Sequence, residues 1–428
     1  MNPKSMFDRP APCAVRSFAA VSGPGATAQK ERDRLGQALP APGTTAATAD
    51  KLPACKRRRV VIVERFLTHY RVAFYESLRS QMAARGIELI LLVGEATSAE
   101  KSKRDAGMLP WAISLRTYYL FGNRLCWQPF GRHAAGADLV IVLHENKLLY
   151  NLWLMFVRRP RRLAFWGHGC NLQSRRPDGL REVFKRWTIR KVDWWFAYTD
   201  MTAALIRRAG FPPASTTVVD NAVDTACLAR LCRQVDAAAL TGFRQRYGLK
   251  EGPLGLFIGS LYREKRLDFL FAAALRIKAR VPGFQVLIVG AGPQRPEVEA
   301  ATARHDWIHY AGPLQGAQKA TALVLADVLL NPGLVGLGIL DAFVGGIPIF
   351  TTDCGLHSPE IAYLDAGRNG IITADNEASY AEAVIDALRD PETMQALRDQ
   401  ATASASRYTI ENMTTRFCDG VLACLERP

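Results

Sequence analysis

No apolar run in this 428-residue chain reaches the roughly 18 residues that a membrane-spanning helix needs. The N-terminus has no continuous hydrophobic stretch of the secretory kind either. The nine cysteines stand singly, at 13, 55, 126, 170, 227, 232, 354, 418 and 424, with no CxxC pair and no zinc-ligand spacing. That scatter excludes a disulfide framework and a zinc module, and the expectation is reduced thiols in a cytoplasmic protein. Acid is in short supply: 55 Lys and Arg face 40 Asp and Glu, a formal charge of +15. The shortage is confined to residues 1–240, where 37 basic residues meet 19 acidic ones; residues 241–428 hold 18 and 21. One half of the molecule is therefore expected to meet something anionic. With 49% hydrophobic and 22% charged residues, the composition excludes collagen, coiled coil and wholesale disorder. Its length suits two domains.

Residues 1–57 read as a disordered Ala/Pro-rich tail: residues 1–53 hold 7 of the 23 prolines and show no apolar period. The basic run Lys56–Arg59 reads as a solvated strand entry rather than a nuclear-type signal. From Val60 the pattern alternates. Short, uniformly apolar runs (Val60–Val63, Ile87–Gly94, Asp138–Leu143, Arg162–Gly169, Trp194–Thr199) suit strands buried on both faces, with helical stretches such as Arg71–Arg85 between them. The series pauses at 226–252, read as a linker, and restarts with Leu254–Leu261, Gln285–Gly292, Trp307–Gly312, Asp327–Gly333 and Ile347–Asp353. The expected architecture is α/β: two Rossmann-like, doubly wound parallel-sheet lobes, 58–225 and 253–408, facing across a cleft, with a last helix over 409–428. Ligands of such sheets sit at the carboxyl ends of the strands.

Three segments carry chemistry at those ends. In Asn331–Phe350 a buried strand leads through Gly333, Leu334, Gly336 and Leu337 into a helix bearing Asp341. Glycines there admit close approach of a ligand to backbone, and the helix start suits a pyrophosphate, with Asp341 placed for ribose hydroxyls. A tight strand-to-helix turn with Asp341 at a helix start accounts for the same residues. In Phe257–Ala274, Gly259 and Ser260 end a strand, and Arg263, Lys265 and Arg266 follow. Cations at a strand mouth suit a diphosphate, with Lys265 the chosen contact, although a solvated helix start looks the same. Third, His168 sits between Gly167 and Gly169 directly after an apolar strand, available for hydrogen bonding. A nicotinamide-type loop does not fit: Gly290–Pro296 puts Arg295 where GxGxxG needs glycine.

These segments together resemble the retaining, nucleotide-sugar-dependent glycosyltransferases of family 4, the group 1 enzymes of the GT-B fold, over roughly residues 59–425. The resemblance implies that Gly259 and Lys265 meet a donor diphosphate, that Gly290 and Gly292 form the family's GxGP turn, and that His168 stands near the reacting sugar. It implies that Asn221–Asp224 is the hinge between lobes. Two departures stand out. Ser260 replaces the family's arginine, leaving Arg263 or Arg266 to compensate. The family's two glutamates, eight positions apart, fall on Gly333 and Asp341, so the first carboxylate is missing. Glu360 is a candidate replacement, or only orients its loop.

The resemblance further implies transfer of a sugar from a UDP- or GDP-sugar to a glycan or lipid-linked acceptor in cell-surface polysaccharide or lipopolysaccharide assembly. His168 and Lys265 would be the catalytic pair, with no cofactor and no obligatory metal, since no DxD-type motif is present. The other readings are a GT-B epimerase, hydrolase or phosphorylase, or a silent glycan-binding protein, motivated by Gly333. The N-terminal lobe would take the acceptor. Residues 158–191 hold 11 Lys and Arg against Asp178 and Glu182, beside the apolar Leu148–Phe156. Trp153, Arg158, Arg159, Arg161, Arg162, Lys185 and Arg186 are the expected acceptor or membrane face, peripheral on an anionic cytoplasmic surface, although a core helix Leu148–Phe156 with charges solvating its flank accounts for the same residues. Nucleic acid is not expected, because no recognised module accompanies the charge.

Overall fold

The computed structural model describes residues 57–101, 106–169 and 179–427. The tail read over 1–57 lies outside them up to residue 56, as does the stretch of the basic segment holding Arg175 and Arg176.

Two parallel sheets organise the chain. The first is built from β1 (Arg58–Glu64), β2 (Ile87–Val93) and β3 (Ile113–Ser114). After a two-stranded antiparallel hairpin of β4 (Tyr118–Leu120) and β5 (Leu125–Trp127), β6 (Leu139–Leu143), β7 (Leu163–Gly167), β8 (Trp194–Ala197) and β9 (Thr216–Val218) complete it. Its order is β3-β2-β1-β6-β7-β8-β9. The second sheet comprises β10 (Leu254–Ile258), β11 (Gln285–Val289), β12 (Ile308–Gly312), β13 (Val328–Leu330), β14 (Ile349–Thr352) and β15 (Gly370–Thr373), in the order β12-β11-β10-β13-β14-β15. Both sheets reverse direction beside their first strand, at β1/β6 and at β10/β13. Those are the points where doubly wound sheets open a crevice for ligands.

The strands follow from their composition. Val60, Val61 and Leu139–Ile141 are wholly shielded from water because helices cover both sheet faces. Each such side chain contributes about 1.5–3 kcal/mol of hydrophobic stabilisation. β3, β4 and β5 are absent from the sequence reading; they are only two or three residues long, and β3 and β4 are largely exposed, so no apolar run marks them.

Residues 226–252, read as a linker, are mostly helical. Helix Ala226–Arg233 and helix Ala237–Tyr247 both pack on helix Gly316–Leu325 of the second lobe. Asp236 caps the second by accepting from the Ala239 amide at 2.8 Å, and Gly248 closes it in a left-handed conformation at φ 67°. The last helix, Ile410–Glu426, returns to the first lobe, against helix Val72–Ala84, β8 and β9. Its Phe417 stacks on Phe196 at 4.2 Å and meets Phe74 and Trp166 edge-on at 5.5 and 5.2 Å. The chain thus passes between the lobes twice. At the first passage, Asn221 donates to Glu360 at 2.6 Å and Tyr363 donates to the Asn221 carbonyl at 2.9 Å.

Candidate functional site

The second lobe gathers its site at the β10/β13 reversal. Lys265 ends a single 3-10 turn, Arg263–Lys265, and only 8% of its surface is exposed. Its ammonium donates to the Leu334 carbonyl at 2.5 Å and lies 5.9 Å from the Tyr262 ring centroid. No carboxylate pairs with it among the described residues. Burial alone pushes its pKa down from 10.5 to about 8. A buried cation without a carboxylate partner, beside the backbone of Gly259 and Leu334, can take an anion as its counter-charge.

The surrounding residues have distinct jobs. Gly259, Gly290 and Gly292 have φ near +150° (157°, 147° and 159°), and the loops after β10 and β11 run backbone against backbone. A Cβ on Gly290 would stand 1.8 Å from the Gly259 carbonyl oxygen, and one on Gly292 2.3 Å from that of Leu261. These two glycines are thus required by loop packing, whatever binds above them. Ser260 and Arg263 are exposed at the mouth. Arg266 is already engaged: it sits in the left-handed region at φ 56°, bonded to Asp375 and, at 3.3 Å, to Thr352. Of the two arginines that could stand in for the one missing at Ser260, only Arg263 keeps its guanidinium out of such a pairing.

Gly333 and Leu334 are buried, whereas Gly336 and Leu337 are half-exposed on the way into helix Gly338–Val344. His357 accepts from the Val335 amide at 3.1 Å and pins this loop to the one after β14. Asp341 is ion-paired with Lys319 at 2.8 Å, a partner the spacing did not reveal. Glu360 is 3% exposed and holds Asn221 at the hinge, so its carboxyl serves the junction between lobes.

The first lobe opens a cavity of about 220 Å³ at the β1/β6 reversal, lined by the ends of β1, β6 and β7 and by the loops after them and after β8. His168 is there, its ring edge-on to Tyr198 at 4.4 Å. Its ring is open to solvent, yet the enclosing walls, together with Lys185 and Arg71, push its pKa down to about 4. It is a neutral imidazole at pH 7.

The same cavity holds residues the sequence reading passed over. Glu64, at the end of β1, accepts from Tyr75 at 2.5 Å, and burial raises its pKa to about 7. Arg71 is 6% exposed, with Trp166 and Tyr198 around its guanidinium at 4.9 and 5.6 Å. One signal existed: Glu64 and Arg65 directly follow the wholly apolar run Val60–Val63, where charge is unexpected unless it faces a crevice.

The expected basic face is less free than its count suggests. Arg159 is bonded to Asp193 at 2.8 Å and to the Lys191 carbonyl, Arg161 to Asp138 at 3.2 Å, and Arg162 to the Arg427 carbonyl. Trp153 is half-buried against Tyr150 at 5.0 Å. The exposed aromatics of this face are Phe156, Phe184 and Trp187; Phe156 and Trp187 stack at 5.3 Å, with Lys191 4.8 Å from the Trp187 ring centroid. Arg158 and Arg186 are exposed nearby, while Lys185 is half-buried and acts on His144 and His168. No helix among the described residues is long and apolar enough to cross a membrane.

Comparison with known proteins returns one answer for both lobes. Residues 252–390 match the family described as "Glycosyl transferases group 1" and residues 73–226 match "Glycosyltransferase Family 4". A phosphatidyl-myo-inositol mannosyltransferase of Mycolicibacterium smegmatis is 30% identical over 196 residues, 44% of this chain and 47% of that protein, so the match spans about half its length. An alpha-D-kanosaminyltransferase of Streptomyces kanamyceticus is 24% identical over 286 residues, 64% of this chain and 68% of its own. Among solved structures, Anabaena HepE in complex with UDP superposes with a TM-score of 0.61 at 14% identity, covering 85% of this chain and 99% of that one.

Proposed function

The chain belongs to the group 1 glycosyltransferases and has their GT-B fold, and from that premise we propose that it moves a sugar from a UDP- or GDP-sugar to a glycan or lipid-linked acceptor with retention of anomeric configuration. The observation that carries this reading is Lys265, a buried ammonium with no carboxylate, at the strand reversal of the second lobe. In the proposed reaction the bond from the anomeric carbon to the diphosphate oxygen breaks and one to the acceptor oxygen forms on the same face. The acceptor proton passes to the departing phosphate. Charge grows on the leaving diphosphate, where Lys265 is already fixed, so stabilisation needs no reorganisation at the moment of reaction. Neutral His168 supplies a hydrogen bond to the reacting groups from the facing lobe. No metal or other cofactor is part of the proposal.

Thermal denaturation with UDP, GDP, ADP and CMP tests the donor half. The matching nucleotide should raise Tm by mass action, about 2.7 kcal/mol at a concentration of 100 Kd. No shift with any of them would leave a repurposed or silent protein as the better reading. The affinity should also fall between pH 7 and 9. The Lys265 pKa of about 8 means that the free protein loses its ammonium across that range, whereas the nucleotide phosphates are already fully ionised. A flat profile by calorimetry would remove Lys265 from the contact. For His168→Ala, transfer should drop by roughly 10²–10³-fold, the loss expected for one hydrogen bond to the reacting groups, with nucleotide affinity unchanged. Full transfer would end its catalytic role.

We also propose peripheral attachment to an anionic cytoplasmic membrane surface, serving cell-surface polysaccharide or lipid-glycan assembly. The support is a patch of exposed Phe156, Val157, Val183, Phe184 and Trp187 with Arg158, Arg186 and Lys191 around it. Apolar side chains enter the headgroup layer while each cation contributes on the order of 1 kcal/mol. The protein should float with phosphatidylglycerol vesicles at low salt, and Trp187→Ser should abolish that. Failure of the unaltered chain to float would sink the attachment without touching the donor site.

A further inference from the structure

We propose that the first-lobe cavity binds a phosphate ester carried on a hydroxyl-bearing acceptor, with the Arg71 guanidinium as its anchor. This goes further than transfer to an unspecified acceptor and rests on that reading for the word acceptor, though not for the binding site itself.

Arg71 stands at the end of a 3-10 turn, His69–Arg71, directly before helix Val72–Ala84. It is 6% exposed and lines the 220 Å³ cavity. A guanidinium presents five N–H donors and is charged at every working pH. Among the described residues its one hydrogen-bond partner is the Met413 sulfur at 3.9 Å. Around it stand rings: Tyr70, Phe74, Trp166 and Tyr198, at 5.5, 5.9, 4.9 and 5.6 Å. Those faces hold the guanidinium plane but accept no in-plane hydrogen bonds.

Each nearby carboxyl is occupied elsewhere. Glu64 accepts from Tyr75 at 2.5 Å, Glu145 pairs with Lys147 at 2.9 Å, and Glu360 accepts from Asn221 at 2.6 Å. None lies within ion-pair distance of Arg71, and Glu64 acts on it only through space. Burial also lifts Glu64 to about 7, so at neutral pH its negative charge is only partly present. Arg65, the other arginine of the cavity, is different in kind: it meets Glu100 through two bonds at 2.5 and 2.9 Å. The contrast between neighbours argues that the fold can satisfy an arginine here when it needs to.

The Trp166 ring forms part of the same wall, but its Nε1 is closed off from solvent, so the donors open to a ligand are those of Arg71. A cationic fork of donors facing a cavity matches a group that brings several acceptor oxygens and negative charge. A phosphate meets a guanidinium through two parallel N–H···O bonds. Glu64, Glu145 and His168 then stand on the cavity wall to take hydroxyls, which a bare anion would lack. The ester could come from a soluble sugar phosphate or a phospholipid headgroup, since the recognition chemistry is shared.

The test titrates the full chain with glucose 1-phosphate and glycerol 1-phosphate, and with their neutral counterparts methyl glucoside and glycerol, in saturating UDP so that the Lys265 site is filled. A parallel arm uses phosphatidylglycerol and phosphatidylcholine vesicles. Phosphate esters should bind at least ten-fold tighter than the neutral compounds. Arg71→Gln should remove that preference, Arg71→Lys should restore part of it, and Lys265→Ala should keep it. UDP affinity should be equal in Arg71→Gln and the unaltered chain. Binding of the soluble esters assigns a soluble source, and vesicle binding alone assigns a headgroup only where it is specific to phosphatidylglycerol and lost in Arg71→Gln. No preference for the phosphorylated compounds by the unaltered chain overturns the proposal, whether or not Arg71→Gln folds. So does a folded Arg71→Gln protein that retains the preference, or one whose UDP affinity falls in step. If UDP itself fails to bind while the Arg71-dependent preference persists, the donor reading fails and this site stands.

Discussion

Lys265→Met should bind UDP or GDP ten- to a hundred-fold more weakly than the unaltered chain, and should be more stable. The two effects have one cause. A charge-assisted hydrogen bond contributes about 1.5–3 kcal/mol, which sets the expected loss of affinity. In the free protein the same ammonium is a cost. Its folded pKa of about 8 lies below the ordinary 10.5, so the folded state holds the proton less tightly than the unfolded chain does. At pH 7 that difference is worth about 3 kcal/mol against folding. It disappears only as pH rises from 8 through the unfolded pKa. Methionine fills a similar volume without the charge. The Leu334 carbonyl freed by the change keeps the Asn331 amide at 3.2 Å, so no buried acceptor is orphaned. Tm should therefore rise by several degrees, at roughly 2–4 °C per kcal/mol. Calorimetry for affinity and a melting curve for stability check both halves. A variant that binds UDP normally would remove Lys265 from the donor site; one that binds weakly but melts lower would show that its burial is structural.

The parts of the fold legible in the sequence are those whose signal is local. Val60–Val63 and Gln285–Val289 are β-branched and apolar throughout because helices cover both sheet faces, and that pattern is read without knowing the neighbours. The return of helix Ile410–Glu426 to the first lobe was not legible. Its apolar stripe says that one face is covered, while only packing says that Phe196 and Trp166 cover it. The helices within 226–252 were missed because the first, though amphipathic, is short and buries no residue completely, and the second has a weak apolar period and buries only Phe243.

At the site the same division holds. Lys265 and His168 stand out because their residue types are odd at strand mouths. Arg71 did not, since a basic residue at a helix start is ordinary until its burial is known. Asp341 could be placed on its helix, but not its pairing with Lys319, which comes from a helix about twenty residues earlier. Glu360 had two readings open, and the 2.6 Å bond to Asn221 gives its carboxyl a place at the hinge.

Gly333, where the family's first glutamate would fall, yields the other large expected effect. A Cβ at this position would lie 2.2 Å from the Glu264 carbonyl oxygen and 2.7 and 2.8 Å from the Lys265 carbonyl carbon and Cα. All three are backbone atoms of the turn that presents Lys265, so nothing flexible can move aside. The turn is also tied here, because the Leu334 amide donates to the Glu264 carbonyl at 2.8 Å. Gly333→Ala should therefore force the turn outward and cost about 1–3 kcal/mol as overpacking, several degrees in Tm. It should weaken UDP or GDP binding too, by displacing the ammonium. Gly333→Glu, which restores the family residue, should be worse, since it adds a carboxylate to a fully enclosed position. Gly338→Ala is the control: a Cβ there meets nothing within 4 Å, and alanine in a helix is favoured by up to about 1 kcal/mol. If Gly333→Glu melts like the unaltered chain and transfers sugar faster, the loop has room for the carboxylate and its absence is a lost function. If it unfolds early while Gly338→Ala does not, the loop has closed over that position. The donor sugar must then be held by other groups, and the missing glutamate is a consequence of how tightly residues 264 and 265 are packed against residue 333.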